Sequence, residues 1–270
     1  MQPLDIRLIA IDLDGTLLND SKQVTDHTLQ ALAQAADQGV KVVIASARPP
    51  RSVRGFYEQA GLDTWQINYN GAMIWDEPAK RVVFHQPMDG RDVLRMIHRS
   101  RELHADLIVQ CEIIDRWHTD RDDKRFTTGT GRLFEPDMLA AVETICREPI
   151  TMLNLLGDAE AINRIEPALI DEFRGKIDLI RAGDHDLLIG KHCEACKSNA
   201  LKQVADHYGV KMEQVMAIGD APNDVGMLQL AGLSIAMGNA HPRVKEVADW
   251  IAPSNNDHGV SEALRRFVLS

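Results

Sequence analysis

Several short apolar runs, each ending in small polar or acidic residues, organise this chain. Arg7-Leu8-Ile9-Ala10-Ile11 leaves no room for a helix before Asp12-Leu13-Asp14-Gly15. Val40 to Ala45 ends in Ser46-Ala47-Arg48-Pro49-Pro50, and Gln214 to Ile218 runs into Gly219-Asp220-Ala221-Pro222-Asn223-Asp224. Apolar positions that run on without alternating predict strands of a parallel sheet, buried on both faces. Between the first two runs, Thr25 is expected to cap a helix reaching about Gln38. Leu29, Leu32, Ala33 and Ala36 line one side of it, and Gly39 closes it. A helix from Arg51 to Ala60 stops at Gly61, and a strand from Gln66 ends in Asn70-Gly71. Strand and helix in strict turn predict an α/β fold, a doubly wound parallel sheet.

The middle of the chain has another texture. Met73 to Trp75 and Val82 to Phe84 read as a hairpin around Glu77-Pro78-Ala79-Lys80, followed by a helix carrying Val93, Leu94, Ile97 and Leu103 and a strand near Leu107 to Cys111. Asp115 to Gly131 holds Arg116, Asp120, Arg121, Asp122, Asp123, Lys124 and Arg125, a mixed-charge run that predicts a solvated loop. Helices are expected over Asp137–Arg147 and Ala159–Phe173, the latter with Pro167 inside it. Strands are expected over Ile150–Leu156, Ile177–Arg181 and Asp186–Ile189. We therefore expect an α+β module at 85–189 inserted into a discontinuous core of 1–84 and 190–270. Strand–helix alternation resumes with a helix over Ser198–Tyr208 and ends with one over Glu262–Val268. No repeat or low-complexity tract is visible.

In open α/β sheets ligands bind beyond the carboxyl ends of the strands, where Asp12 and Asp14 fall. If the chain is still extended at Asp12, the two side chains share one side. Gly15 permits a sharp turn and a close approach of N–H groups to an anion. A carboxylate nucleophile divides phosphoryl or acyl transfer into two easier steps, and a neighbouring acid can protonate the leaving group and then activate water. Two close carboxylates repel, so the pair calls for a cation or a raised pKa. An ordinary Asp-Gly turn uses the same residues.

Charge narrows the choice of partners. Of 270 residues, 40 are acidic and 30 are Lys or Arg, for a net charge of −10. No broad basic face for nucleic acid is expected, so a phosphate ligand would rely on a metal, a lysine or backbone N–H groups. No apolar run approaches the roughly 18 residues that span a bilayer. The N-terminal Met1-Gln2-Pro3-Leu4-Asp5 lacks the features of a signal peptide, so a cytoplasmic protein with no membrane or obligate protein partner is expected. The four cysteines do not suggest a disulfide scaffold. Cys193-Glu194-Ala195-Cys196 lacks the second ligand pair of a structural zinc site.

Asp12-Leu13-Asp14-Gly15-Thr16-Leu17 after an apolar strand resembles the first motif of the haloacid dehalogenase-like hydrolases. Ser46, Lys197, and Asp220 with Asn223 and Asp224 resemble the other three motifs, in order. Asn70-Gly71, the long insertion, Ala236-Met237-Gly238-Asn239-Ala240, Ala248-Asp249, and Ser254-Asn255 through Gly259-Val260 resemble its Cof-type branch. Mg²⁺ favours oxygen ligands. Asp12, Asp220 and the main-chain carbonyl of Asp14 would supply part of its shell, with Asp224 behind them holding waters or Lys197. Lys197 opens a helix, a poor place for a cation unless an anion there needs neutralising.

The resemblance implies a Mg²⁺-dependent phosphatase for a small phosphorylated metabolite, such as a sugar phosphate. Asp12 would form an aspartyl-phosphate, with Asp14 as general acid and then base. Ser46, Lys197 and Asn223 would hold the phosphoryl group, and the inserted module would be a cap that selects the leaving group. A phosphomutase sharing the covalent step and a non-catalytic sugar-phosphate sensor stand as rivals. Ala47 replaces the family's usual glycine after the second-motif residue, where it is expected to crowd the approach to phosphate. Ser198 replaces a frequent glycine after the motif lysine.

Overall fold

This computed structural model describes residues 5–123, 125–182 and 186–269. Lys124 of the polar run and residues 1–4 of the N-terminal stretch lie outside them. One compact unit takes both ends of the chain, up to Val83 and from Cys196 onward; a second runs from Phe84 to Ala195.

The first unit opens with β1 (Leu8–Ile11), α1 (Asp26–Asp37), β2 (Lys41–Ile44), α2 (Pro50–Ala60), β3 (Trp65–Asn68) and β4 (Met73–Asp76), and β5 (Arg81–His85) leads out of it. The second unit continues with α3 (Gly90–Leu103), β6 (Ile108–Ile113), β7 (Arg116–Thr119), β8 (Met138–Leu139), α4 (Val142–Ile145), β9 (Met152–Leu156), α5 (Ala159–Glu172), β10 (Ile177–Ala182) and β11 (Leu187–His192). The chain then returns through α6 (Lys197–His207), β12 (Val215–Gly219), α7 (Val225–Leu230), β13 (Leu233–Ala236), α8 (Pro242–Lys245), β14 (Trp250–Ile251) and α9 (Gly259–Phe267).

In the first unit a five-stranded parallel sheet has the order β14-β13-β12-β1-β2. Its centre is made of the continuous apolar runs, and all four residues of β1 are fully buried. Ile11 lies opposite Ile218 on one neighbour and Ile44 on the other. All three strands end at one level, so the polar residues that follow them emerge side by side. Separately, β3, β4 and β5 form a three-stranded sheet.

The second unit carries a six-stranded sheet in the order β10-β11-β9-β6-β7-β8, antiparallel except for β7 with β8. Val93, Met96 and Ile97 of α3 and Ile162, Ile165 and Leu169 of α5 share one buried cluster with Val109, Cys111, Leu153 and Leu155.

Two expectations for this unit need correction. Arg116–Thr119, expected as solvated loop, is β7, with Trp117, His118 and Thr119 buried and Arg116 exposed. Two of the three buried positions, His118 and Thr119, are polar, so no apolar run marked the strand among the flanking charges. Asp137–Arg147, expected as one helix, is instead the two-residue β8 and the single turn of α4. Met138 and Leu139 pair along β7 and so leave the helical path. α5 passes through Pro167 without ending.

Candidate active site

Asp12 follows β1 and lies between the ends of its neighbours; its N–H donates to Ile218 O at 3.0 Å. Lys197, first residue of α6, is fully buried and donates to Asp12 Oδ1 at 2.5 Å and to Asp224 Oδ1 at 2.7 Å. Burial disfavours the ammonium, yet the two carboxylates outweigh it and hold the Lys197 pKa above its ordinary value. The misfit between a cation and a helix N-terminus is resolved by these two anions. Asp224 is spoken for on both oxygens, since Oδ2 accepts the N–H groups of Asp220 and Ala221 at 3.0 Å each.

Asp220 completes the group. Thr16 Oγ1 donates to its Oδ1 at 2.7 Å, and Gly15, at φ +82°, passes so close that a methyl group there would strike the Asp220 carboxylate. Asp12, Asp220 and Asp224 each bring a carboxylate oxygen within 4.8 Å of the others. Burial and then the charge of Asp224 push the Asp12 pKa well up, despite Lys197. Burial also raises Asp220, with Asp224 adding to it against the Thr16 hydrogen bond. Three acids face one lysine, so positive charge in the cluster is scarce. This hard, all-oxygen set is of a kind that fits Mg²⁺, and Asp12 and Asp220 are carboxylates that could hold such an ion.

Asp14 points elsewhere. Its carboxylate receives Arg48 through Nε at 2.7 Å and a second guanidinium nitrogen at 2.6 Å, and Lys22 Nζ at 2.8 Å. Burial would raise its pKa, but these two cations bring it below the usual value. The Asp14 side chain therefore stands apart from the three clustered acids, and the main-chain carbonyl is its remaining route to a metal.

Ser46 is buried beyond β2, held by its N–H to Ile67 O at 2.8 Å. Its Oγ accepts the N–H of Arg48 at 3.1 Å. Asn223 Nδ2 donates to Asn70 Oδ1 at 2.8 Å, and Asn70 N–H donates to Ser46 O at 3.0 Å. Asn70 thus ties the second-motif residue to the fourth. Gly71, at φ +92°, lets this turn abut the start of α6, where an added Cβ would collide with the Cys196 carbonyl. Ala47 has no left-handed φ, so alanine is accommodated there without backbone strain.

The site thus holds Arg48, Lys22, Asn70 and Thr16 beyond the residues expected from sequence. Arg48 had a signal, a cation in the turn directly after Ser46; Lys22 had none. Cys193 and Cys196 are free thiols, and no cysteine joins the cluster of acids among the described residues.

A family model described as haloacid dehalogenase-like hydrolase matches residues 9–264. The chain belongs to the haloacid dehalogenase-like hydrolases. Within that family it falls in the Cof-type branch. It is 31% identical to the putative phosphatase YxeH of Bacillus subtilis, with 98% of this chain and 99% of that protein covered. It is 32% identical to the 5-amino-6-(5-phospho-D-ribitylamino)uracil phosphatase YcsE of the same organism, covering 99% and 98%. The crystal structure of a haloacid dehalogenase-like hydrolase from Bacteroides thetaiotaomicron superposes with a TM-score of 0.88 at 27% identity, covering 97% of this chain and 99% of that one. This hydrolase is a phosphoric monoester hydrolase, in line with the phosphatase names of the relatives it resembles. Among the described residues no helix is long and apolar enough to cross a membrane.

Proposed function

We propose that this protein is a Mg²⁺-dependent phosphatase that hydrolyses a small phosphorylated metabolite through an aspartyl-phosphate on Asp12. The observation that carries the reading is the buried Lys197 joined to Asp12 and Asp224, with Asp220 alongside. Asp12 attacks phosphorus, and the P–O bond to the leaving group breaks as the new P–O bond to its carboxylate forms. Asp14, once released from Arg48 and Lys22, takes a proton from solvent and gives it to the departing oxygen, and later takes one from the water that cleaves the acyl phosphate. Asp12, Asp220 and the Asp14 main-chain carbonyl would hold Mg²⁺, which would supply charge neutralisation for phosphoryl transfer.

Lys197 fixes the Asp12 carboxylate and faces the phosphoryl charge, while Ser46 and Asn223 orient the group. Positioning and electrostatics make up most of the task in phosphoryl transfer. Arg48 and Lys22 keep Asp14 in place before substrate arrives, and Asp14 must leave them to act as an acid. The Phe84–Ala195 unit serves as the cap that chooses the leaving group.

The test uses p-nitrophenyl phosphate, a panel of sugar phosphates, and 5-amino-6-(5-phospho-D-ribitylamino)uracil, each with and without Mg²⁺. Free phosphate should appear over many turnovers with Mg²⁺ and cease in Asp12→Asn, which remains folded. Substantial turnover by Asp12→Asn would remove the nucleophile assignment. Return of the phosphoryl group to the substrate, without net release, would mark a mutase instead.

A further inference from the structure

The segments beyond β13 and β14 hold asparagines that the reaction above does not use. Asn239, following β13, donates from Nδ2 to Gly15 O at 2.8 Å, and its Oδ1 accepts the N–H of Asn255 at 3.0 Å. Asn255, buried after β14, donates to Leu18 O at 3.0 Å and to Asp20 Oδ1 at 3.2 Å. Asn256 and Asp20 exchange a reciprocal pair, Nδ2 to Oδ2 at 2.9 Å and Asp20 N–H to Oδ1 at 3.1 Å. Apart from the one between Asn239 and Asn255, these bonds land on the loop that follows Asp14, more than 220 positions away in the chain.

That loop carries two members of the site. Asp14 begins it, and Lys22 near its end reaches back to Asp14 at 2.8 Å from a left-handed φ of +60°. Internally the loop closes through Leu18 N–H to Leu13 O and Lys22 N–H to Asn19 O, both at 2.9 Å. Its middle carbonyls, Gly15 O and Leu18 O, are the groups that Asn239 and Asn255 reach.

We infer that Asn239, Asn255 and Asn256 are positioning residues, a latch that holds the 15–22 loop and through it sets Asp14 and Lys22 for the chemical step. The inference rests on the phosphatase reading for its kinetic part, but the latch itself has an independent readout. Lys22 is an exposed trypsin site in the latched loop.

Three variants test it: Asn239→Ala, Asn239→Asp and Asn255→Ala. Asn239→Asp keeps the acceptor for Asn255 N–H but sets a carboxylate against Gly15 O, so it should behave like Asn239→Ala. With p-nitrophenyl phosphate and Mg²⁺, each variant should lower kcat about tenfold with KM within about twofold, the pattern of a displaced catalytic group. Trypsin cleavage after Lys22 should accelerate in each. The urea midpoint of the exposed Asn239 variants should hold at the wild-type value, which separates loop release from general unfolding.

Wild-type nicking at Lys22 in all three variants would overturn the latch, and so would full kcat in a variant whose Lys22 is cut faster. Wild-type behaviour of Asn239→Asp would also overturn it, leaving Asn239 a mere acceptor for Asn255. A wild type that releases no phosphate from any probe would sink the phosphatase reading alone. Faster nicking in the variants would then still support the latch.

Discussion

Lys197 Nζ stands 2.5 Å from Asp12 Oδ1 across 185 positions of sequence, and both groups are buried. Removing one partner of a buried ion cluster leaves uncompensated charge, typically at a cost of about 3–5 kcal/mol. Lys197→Met should lose stability of that order in urea unfolding at pH 7, together with turnover. The penalty should shrink in acid, because Asp12 has a raised pKa and protonates readily once its partner is gone.

In metal-free protein the stability that Asp12 and Asp220 contribute should fall as pH rises. Asp12 and Asp220 both have folded pKa values above their unfolded ones. Their neutral forms thus favour the fold: that contribution is full below the unfolded value of about 3.9 and is lost as pH rises through the folded values. Mg²⁺ should raise Tm more at pH 7 than at pH 5, since protons compete for the same oxygens. Asp220→Asn should gain roughly 1 kcal/mol without metal, the usual return for relieving active-site repulsion, and lose the Mg²⁺ shift. Scanning calorimetry with and without Mg²⁺ checks all three.

Arg48 sets the ionisation of Asp14 by its two-point grip. Burial alone would raise Asp14, so removal of Arg48 must move its pKa up. The limb of the kcat/KM profile governed by Asp14 reports the free enzyme. In Arg48→Gln that limb should move to higher pH, and in Asp14→Asn it should vanish. An unmoved limb would separate Arg48 from the acid.

Gly71 is where the turn carrying Asn70 meets the start of α6. Gly71→Ala adds a Cβ against the Cys196 carbonyl at a positive φ, so it should cost more than about 1 kcal/mol. Because the collision is with the residue before Lys197, turnover should fall beyond what the lost stability explains. Activity measured well below the unfolding transition tests this.

Much of the site was legible because its chemistry follows strands whose order brings them together. Reading the apolar runs as parallel strands put Asp220, Asp12 and Ser46 at one edge of a sheet, and the strand order β12-β1-β2 of the structure makes them neighbours. Lys197 was legible as a cation in the wrong place on a helix. The pairing of Arg48 and Lys22 with Asp14 was not, since it depends on long side chains folding back over a turn, which no periodicity records. Asn239 and Asn255 were visible only as family pattern, and their contacts with Gly15 and Leu18 exist only in the folded chain. In the inserted unit, β7 was missed because two of its buried residues, His118 and Thr119, are polar, and β8 because two residues are too few to mark a period.

Catalysis by the proposed route depends on Asp12 as the residue that takes the phosphoryl group. The direct measurement is acid quenching of the enzyme during turnover of p-nitrophenyl phosphate with Mg²⁺, followed by peptic digestion at low pH and mass spectrometry. One phosphoryl group should be found on Asp12 in the peptide spanning Ile9 to Thr16, and none in Asp12→Asn. A phosphoryl group on another residue, or steady phosphate release with Asp12 never labelled and dispensable, would contradict it.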